Sequence, residues 1–170
     1  IYGESYSGIF SVCQKITGGI SGLLNPISEA LFPKMSVKFS DNKNDYFNIL
    51  KLILKYSFFS SLFVVVVLNF FSSLILNIFL TDVNDETLLF FSIISLSIIS
   101  SQLGNHFTQF FVIISKTNLF LINVTLTLSF TIILVLYLSS LFGFVGVALG
   151  ILFGQIVHLI INFYYLQNNI

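Results

Sequence analysis

One lysine lies inside a long apolar stretch, and its charge makes it the first residue with possible chemistry. Lys15 falls within residues 9–35, a stretch long enough to span a bilayer, which takes about 20 mostly apolar residues. An ionisable group in such a span is costly, so it usually faces a bundle interior or a water-filled cavity. A lysine ammonium attracts phosphate as a point charge. Lys15 therefore either binds an anionic solute or extends its long side chain to the membrane surface.

Uncharged polar side chains recur inside three later apolar stretches. Their spacings of three, four and seven residues place each group on one helical face. The groups are Gln102, His106 and Gln109; Asn123, Thr127 and Thr131; and Gln155, His158 and Asn162. They either hydrogen-bond between helices, at about 0.6 kcal/mol each in one membrane protein, or line a cavity for a polar solute. The candidate substrate-binding residues are Lys15, Gln102, His106, Gln109, Asn123, Gln155 and His158.

Two sets of glycines have the four-residue spacing that lets membrane helices approach closely. Gly18 and Gly22 form one set. Gly146, Gly150 and Gly154 form the other. Small residues at this spacing are typical of helix–helix interfaces in membranes, so both sets are predicted to be helix-packing sites.

Several chemical functions find no support in the sequence. His106 and His158 have no carboxylate in their own apolar stretches, so we predict hydrogen-bonded structural histidines. Cys13 is the single cysteine, and the acidic segment 81–86 lacks a defined ligand spacing, so no metal site is predicted. Hydrolase, metalloprotease and phosphate-loop motifs are absent, as is arginine. We therefore predict a protein that is not an enzyme, has no cofactor and binds no nucleic acid.

The composition predicts a membrane protein. Hydrophobic residues make up 56% of the 170 residues and charged residues only 8%, against about 25% charged in a typical soluble domain. We predict an all-α, polytopic helix bundle that forms a single membrane domain over residues 1–170. Five spans are expected, at about residues 8–33, 56–80, 88–115, 119–141 and 145–166. Residues 1–7 are predicted to form a loop, and residues 34–55 an amphipathic segment on the membrane surface.

The lysines predict the orientation of the spans. Five of the seven lie in residues 34–55, and Lys116 lies between the third and fourth spans. With five spans, both segments fall on the same side of the membrane. Cytoplasmic loops carry an excess of lysine and arginine, so this side is predicted to be cytoplasmic and the segment 81–86 external.

Two motifs resemble a known transporter family. The run YSGIFSVCQKI at residues 6–16 and the run NPISEALFPKMS at residues 25–36 resemble stretches at either end of one helix in Wzx-type polysaccharide flippases of the MOP exporter superfamily. The pair Tyr46–Phe47 and the run FGFVGVA at residues 142–148 match two further features. The resemblance extends over nearly the whole chain and is most specific at LFPKMS.

The resemblance implies a function and an architecture. Such flippases have twelve helices in two lobes, and this chain would supply helices eight to twelve, a partial C-terminal lobe of a longer protein. They move polyprenyl-diphosphate-linked oligosaccharide repeat units across the bacterial inner membrane for O-antigen or other surface polysaccharides. Lys15 matches a basic position within the membrane. The implied partners are the lipid bilayer, the lipid-linked oligosaccharide and other polysaccharide-assembly membrane proteins.

Other functions are left open by the residues. A multidrug or small-solute exporter of the same superfamily would need an intramembrane carboxylate, and Glu29 is the one available. A membrane-embedded polysaccharide polymerase would be expected to have a long external loop, whereas the predicted external loops are short. A structural membrane subunit is the non-transporting alternative.

Overall fold

The computed structural model describes residues 4–167, with all of their side chains except those of residues 4, 5, 27, 28 and 43. Every element in this range is an α-helix. The helices are α1 (Glu4–Asp41), α2 (Lys43–Phe70), α3 (Ser72–Phe79), α4 (Asp85–Ile113) and α5 (Thr117–Gln167). The all-α prediction is confirmed.

The helix α5 consists of two arms that meet at Gly143. Its φ of 61° and ψ of −140° lie outside the helical region, in a conformation open to glycine but strained for other residues. The first arm covers residues 117–142 and the second residues 144–167. The two arms pack as an antiparallel hairpin, in which Val135 faces Gly150, Thr127 faces His158 and Asn123 faces Asn162.

The helix α4 lies at the centre of the bundle. Phe90, Phe110 and Phe111 on α4 are fully buried. Phe90 stacks on Phe144 of the second arm at 4.1 Å between ring centroids and meets Phe10 of α1 edge-on at 6.2 Å. The core therefore forms where α1, α2 and the second arm of α5 surround α4.

Contacts with α4 give the direction of each neighbouring helix. The helix α1 runs parallel to α4, with contacts at Tyr6–Glu86 and Asn25–Asn105. The second arm of α5 is also parallel to α4, with contacts at Phe90–Phe144 and Phe111–Tyr165. The helix α2 is antiparallel, with contacts at Ser57–His106 and Asn69–Ser95. The long helices therefore alternate in direction along the chain.

Three helices are long and apolar enough to cross a membrane: residues 44–70, 85–113 and 117–167. The last is 51 residues long and is folded back at Gly143, so it provides two membrane-length arms. The protein is a helical membrane bundle. Within residues 4–167, α1 does not meet the same criterion, and its crossing of the membrane stays a prediction.

Charged residues separate to the two ends of the bundle. One end, here called the lysine end, holds the α1–α2 turn, the first turns of α2 and the α4–α5 turn, and thus both lysine-rich segments. The opposite end, here called the acidic end, holds the segment 81–86 and the turn at Gly143. The two lysine segments therefore lie on one side, as predicted. Which side faces the cytoplasm stays a prediction.

Several predicted boundaries are wrong. Residues 4–7 belong to α1 rather than to a loop, and residues 1–3 lie outside the described range. The first helix continues through Pro26 and Pro33 to Asp41. Each proline removes one amide donor, but its neighbours keep the helix together across a single missing bond. The second predicted span is divided at Phe71 into α2 and α3.

The predicted surface segment 34–55 is not a separate element. It comprises the end of α1, a turn at Asn42 and the start of α2. The Asn42 side chain accepts a hydrogen bond from the amide of Asn44 at 3.0 Å, which caps α2 and starts it well before the predicted position. Leu50 is buried and Lys51 is exposed, so this part of α2 is amphipathic, as predicted for residues 34–55.

Candidate functional site

A groove with polar walls runs between α1, α4 and the second arm of α5. One part, of about 330 Å³, is lined chiefly by Gln14, Thr17, Ser21 and Asn25 of α1, by Ser97, Ser101 and Asn105 of α4, and by Gln155. A second part, of about 200 Å³, is lined by Asn25, Glu29, Asn105, Thr108 and Gln109. Because both parts share Asn25 and Asn105, we treat them as one site and call it the polar groove.

The polar groove is held together by amide side chains. Asn25 Oδ1 accepts hydrogen bonds from Asn105 Nδ2 at 2.8 Å and from Gln102 Nε2 at 3.2 Å. Gln102 Nε2 also donates to the backbone oxygen of Ser21 at 2.9 Å. These bonds join α1 to α4: the amide donors belong to Gln102 and Asn105 of α4, and the acceptors to Ser21 and Asn25 of α1. The wall of the groove is therefore formed where α1 and α4 are in contact, through residues that are 80 positions apart in the sequence.

The chemistry of the polar groove favours ligands that donate hydrogen bonds. The Oε1 atoms of Gln109 and Gln155 are buried and have no hydrogen-bond partner among the described residues. Glu29, the ionisable residue of the lining, adds a carboxylate. A buried acceptor without a donor costs about 1–3 kcal/mol, so a hydroxyl or ammonium donor entering the groove relieves that cost. A free anion gains nothing from these oxygens.

The polar groove extends far along the bundle. From Gln14 to Glu29 it covers 16 residues of α1, and the 15 steps between these two residues correspond to about 22 Å at 1.5 Å per residue. Asn105 lies 20 residues after the start of α4 and eight before its end. The groove therefore begins deep within the bundle and continues towards the lysine end.

The outer face of α1 differs from the lipid-facing surfaces of the other helices. Among its described side chains, the exposed large apolar residues are Leu23 and Val37, whereas α2 and α5 expose many. Its exposed positions include Gln14, Lys15 and Glu29. Lipid hydrocarbon is a poor solvent for such a surface, so this face suits water or another polar surface. The polar groove opens beside it.

Lys15 lies at the rim of the polar groove rather than in its lining. The residue is exposed, and it is adjacent to Gln14, which lines the groove. Gly18 and Gly22, three and seven positions further along α1, also line it. Residues at these spacings share one helical face. Lys15 therefore flanks the deeper part of the groove, and its role in binding an anion stays a prediction.

The seven candidate residues do not form one site. Gln109 and Gln155 line the polar groove, and Gln102 is bonded to its wall. His106 instead faces α2, where its Nε2 lies 2.6 Å from Ser57 Oγ. The α5 hairpin encloses the other two: Asn123 donates to Asn162, and His158 Nδ1 lies 3.3 Å from Thr127 Oγ1. His106, Asn123 and His158 therefore lie outside the polar groove, and the role of all seven residues in substrate binding stays a prediction.

Both histidines have hydroxyl neighbours, as the predicted hydrogen bonds require, and their structural role stays a prediction. The predicted polar stripe of α4 is divided because α1 and α2 cover different parts of the same face. Gln102 and His106 are neighbours on that face, yet Gln102 contacts α1 and His106 contacts α2. Spacing along one helix gives the face but not the helix that covers it.

The two sets of glycines have different roles. A Cβ added at Gly150 would lie 2.6 Å from the Cα of Val135, and Gly146 and Gly154 are equally close to the first arm of α5. The packing prediction is confirmed for these three. A Cβ added at Gly18 or Gly22 would meet nothing within 4 Å, so the packing prediction is wrong for that pair in the described chain. They line the polar groove because no helix covers that face.

The sequence analysis missed Ser21, Asn25 and Asn105 as site residues. A signal for α1 was present, since Gln14, Ser21, Asn25 and Glu29 recur at seven, four and four residues on one face. The charge of Lys15 on the same helix pointed instead to an anion site. Counting uncharged polar side chains at helical spacing would have found this stripe.

In the described part of the chain, no group of three histidine, cysteine, aspartate or glutamate residues is placed to hold a metal ion. The site is therefore described by its amide, hydroxyl and carboxylate groups alone. Comparison with family models, with curated proteins and with solved structures found no match for this chain.

Proposed function

We propose that this chain belongs to a membrane transporter whose polar groove receives the hydroxyl-rich part of a lipid-linked saccharide. The observation that carries the proposal is the concentration of buried, unpartnered acceptors in a groove deep within a membrane bundle. Leaving amide oxygens without donors at that depth is costly. A substrate with many hydroxyls supplies the donors.

The groove suits a saccharide better than its diphosphate linker. Sugar hydroxyls donate to Gln109, Gln155 and Glu29, each bond contributing about 0.5–1.5 kcal/mol, or more at the carboxylate. A diphosphate beside Glu29 would meet like charge. Lys15, at the deeper end of the groove, is the cation nearest to the site along α1 and is the proposed contact for phosphate.

The resemblance to polysaccharide flippases supports the substrate class. In the proposed function the protein works in the bacterial inner membrane with other polysaccharide-assembly proteins. In that function the saccharide moves along the polar face of α1 while the polyprenyl chain stays in the bilayer. No bond is made or broken, which agrees with a protein that is not an enzyme.

A second candidate is an exporter of small cationic solutes from the same superfamily. The position of Glu29 in the polar groove, next to Gln109, favours it, because a carboxylate and amide oxygens attract an ammonium group. This function requires the charge of Glu29. Saccharide binding needs only hydrogen-bond acceptors, which glutamine also provides. Glu29→Gln therefore separates the two.

The test is complementation of a flippase-null bacterial strain with the protein expressed from its complete gene. Surface polysaccharide is measured and divided by the amount of protein in the membrane. We expect the double variant Gln109→Leu/Gln155→Leu to lower surface polysaccharide at least about tenfold, because it loses two hydrogen bonds to the substrate of about 1 kcal/mol each. Asn77→Leu, at an exposed position on α3, is the control and should transport normally.

Two results would argue against saccharide binding in the polar groove. If the double variant gave near-normal surface polysaccharide at normal protein levels, the saccharide would not pass through the polar groove. Failure of the wild-type protein to restore surface polysaccharide, at normal protein levels, would favour the cationic exporter. Glu29→Gln is expected to keep most of the polysaccharide output.

A further inference from the structure

A second groove, with apolar walls, lies on the opposite side of α4. It has a volume of about 420 Å³ and is lined by Leu54 and Phe58 of α2, Leu103 and Phe107 of α4, and Leu159, Ile160 and Phe163 of α5. We call it the apolar groove. Leu103 and Phe107 are each two positions from Asn105, which is about 200° around the helix, so the two grooves face in opposite directions.

A lysine lies at one end of the apolar groove. Lys51 is exposed and lies three and seven residues before Leu54 and Phe58, so it shares their face of α2. Three residues correspond to about 4.5 Å, so Lys51 lies roughly one helical turn beyond the groove, towards the lysine end. The nearest carboxylate earlier in α2, Asp45, is six residues away and about 240° around the helix.

We propose that the apolar groove binds one acyl chain of an anionic glycerophospholipid from the surrounding bilayer, with the lipid phosphate at Lys51. This site is independent of the proposed transport. The volume lies within the range of about 300–1,000 Å³ that is usual for ligand sites. The walls are leucine, isoleucine and phenylalanine side chains, which match the apolar surface of an acyl chain. The charge of Lys51 selects an anionic headgroup over a zwitterionic one.

The experiment uses the full chain in nanodiscs of phosphatidylcholine with increasing phosphatidylglycerol, and lipids that stay bound are counted by native mass spectrometry. Lys51→Gln should weaken phosphatidylglycerol retention about fivefold, because one lysine near an anionic lipid surface contributes about that factor to binding. Lys38→Gln removes an exposed lysine of α1 at the same end, away from the groove, and should change retention little. Leu103→Phe narrows the groove and should weaken retention with Lys51 intact.

Three outcomes would overturn the proposal. Equal effects of Lys51→Gln and Lys38→Gln would mean that retention reflects general surface charge. Displacement of the lipid by inorganic phosphate at matched concentration would mean an anion site without a chain. Retention of phosphatidylcholine as strongly as phosphatidylglycerol would mean that Lys51 does not select the headgroup. Thermal unfolding of each variant in phosphatidylcholine alone checks folding separately.

Discussion

Asn105 of α4 donates a hydrogen bond of 2.8 Å to the side-chain oxygen of Asn25 of α1, although the two residues are 80 positions apart. Asn25 lies near the middle of a helix that keeps only a small apolar outer surface. The bond attaches this helix to the most buried helix of the bundle. It also fixes the spacing of the two walls of the polar groove.

The bond between Asn25 and Asn105 predicts a measurable coupling. Asn25→Ala and Asn105→Ala should each lower the free energy of unfolding in detergent. The decrease in the double variant should be smaller than the sum of the two single decreases by about 0.6 kcal/mol. A cycle of Asn25→Ala with Asn77→Ala is the control, because Asn77 is exposed and donates its hydrogen bond to Ser73 of its own helix. Additive losses in both cycles would contradict the bond.

Gly150→Ala should destabilise the bundle, whereas Gly18→Ala should not. The new methyl at position 150 meets the backbone of Val135, which cannot move without opening the α5 hairpin. Overpacking of this kind costs about 1–3 kcal/mol. At Gly18 the methyl meets open space, so the two variants add the same group in different surroundings. Unfolding midpoints measured in the same detergent compare them, and equal midpoints would refute the tight hairpin.

Transport should depend on the positive charge of Lys15. If its ammonium holds phosphate at the rim of the polar groove, Lys15→Arg should keep substantial transport, while Lys15→Gln and Lys15→Ala should lose most of it. Lys34→Ala, which removes an exposed lysine at the other end of α1, is the control. The measurement is surface polysaccharide per unit of membrane protein. Near-normal output from Lys15→Ala would show that the side chain only reaches the membrane surface.

The lysine end should face the cytoplasm. In a Cys13→Ser background, cysteines at Ser40 and Asp82 lie on exposed positions at opposite ends of the bundle, and neither replaces a helix cap. An impermeant thiol reagent added to intact cells should label position 82 and spare position 40 until the membrane is opened. Labelling of position 40 in intact cells would reverse the orientation.

Much of the fold could be predicted from the sequence because lipid imposes simple rules. Apolar runs of membrane length locate α4 and both arms of α5 within a few residues, and the glycines at 146, 150 and 154 identify a real interface. The start of α2 could not be found this way. A cap formed by the Asn42 side chain determines it, and polar residues before an apolar run resemble a loop equally well.

The site was harder to predict than the fold. Gln109 and Gln155 were found because amides in apolar runs are rare. His106 was grouped with Gln102 and Gln109 because a helical period cannot show that α2, rather than α1, contacts it. Gly18 and Gly22 have the spacing of an interface, but spacing alone does not distinguish a packed face from one left open beside a groove.

The parallel arrangement of α1 and α4 has a consequence for the order of folding. The α5 hairpin joins neighbours in sequence, so its loop closes quickly and at low entropic cost. The contact of Asn25 with Asn105 closes a loop of 80 residues that includes α2 and α3. During synthesis α1 emerges first but must wait until α4 is complete before its polar face is covered. The lining of the groove is complete only once Gln155 of α5 has also been added, and α1 is exposed to misassembly and proteolysis until its polar face is covered.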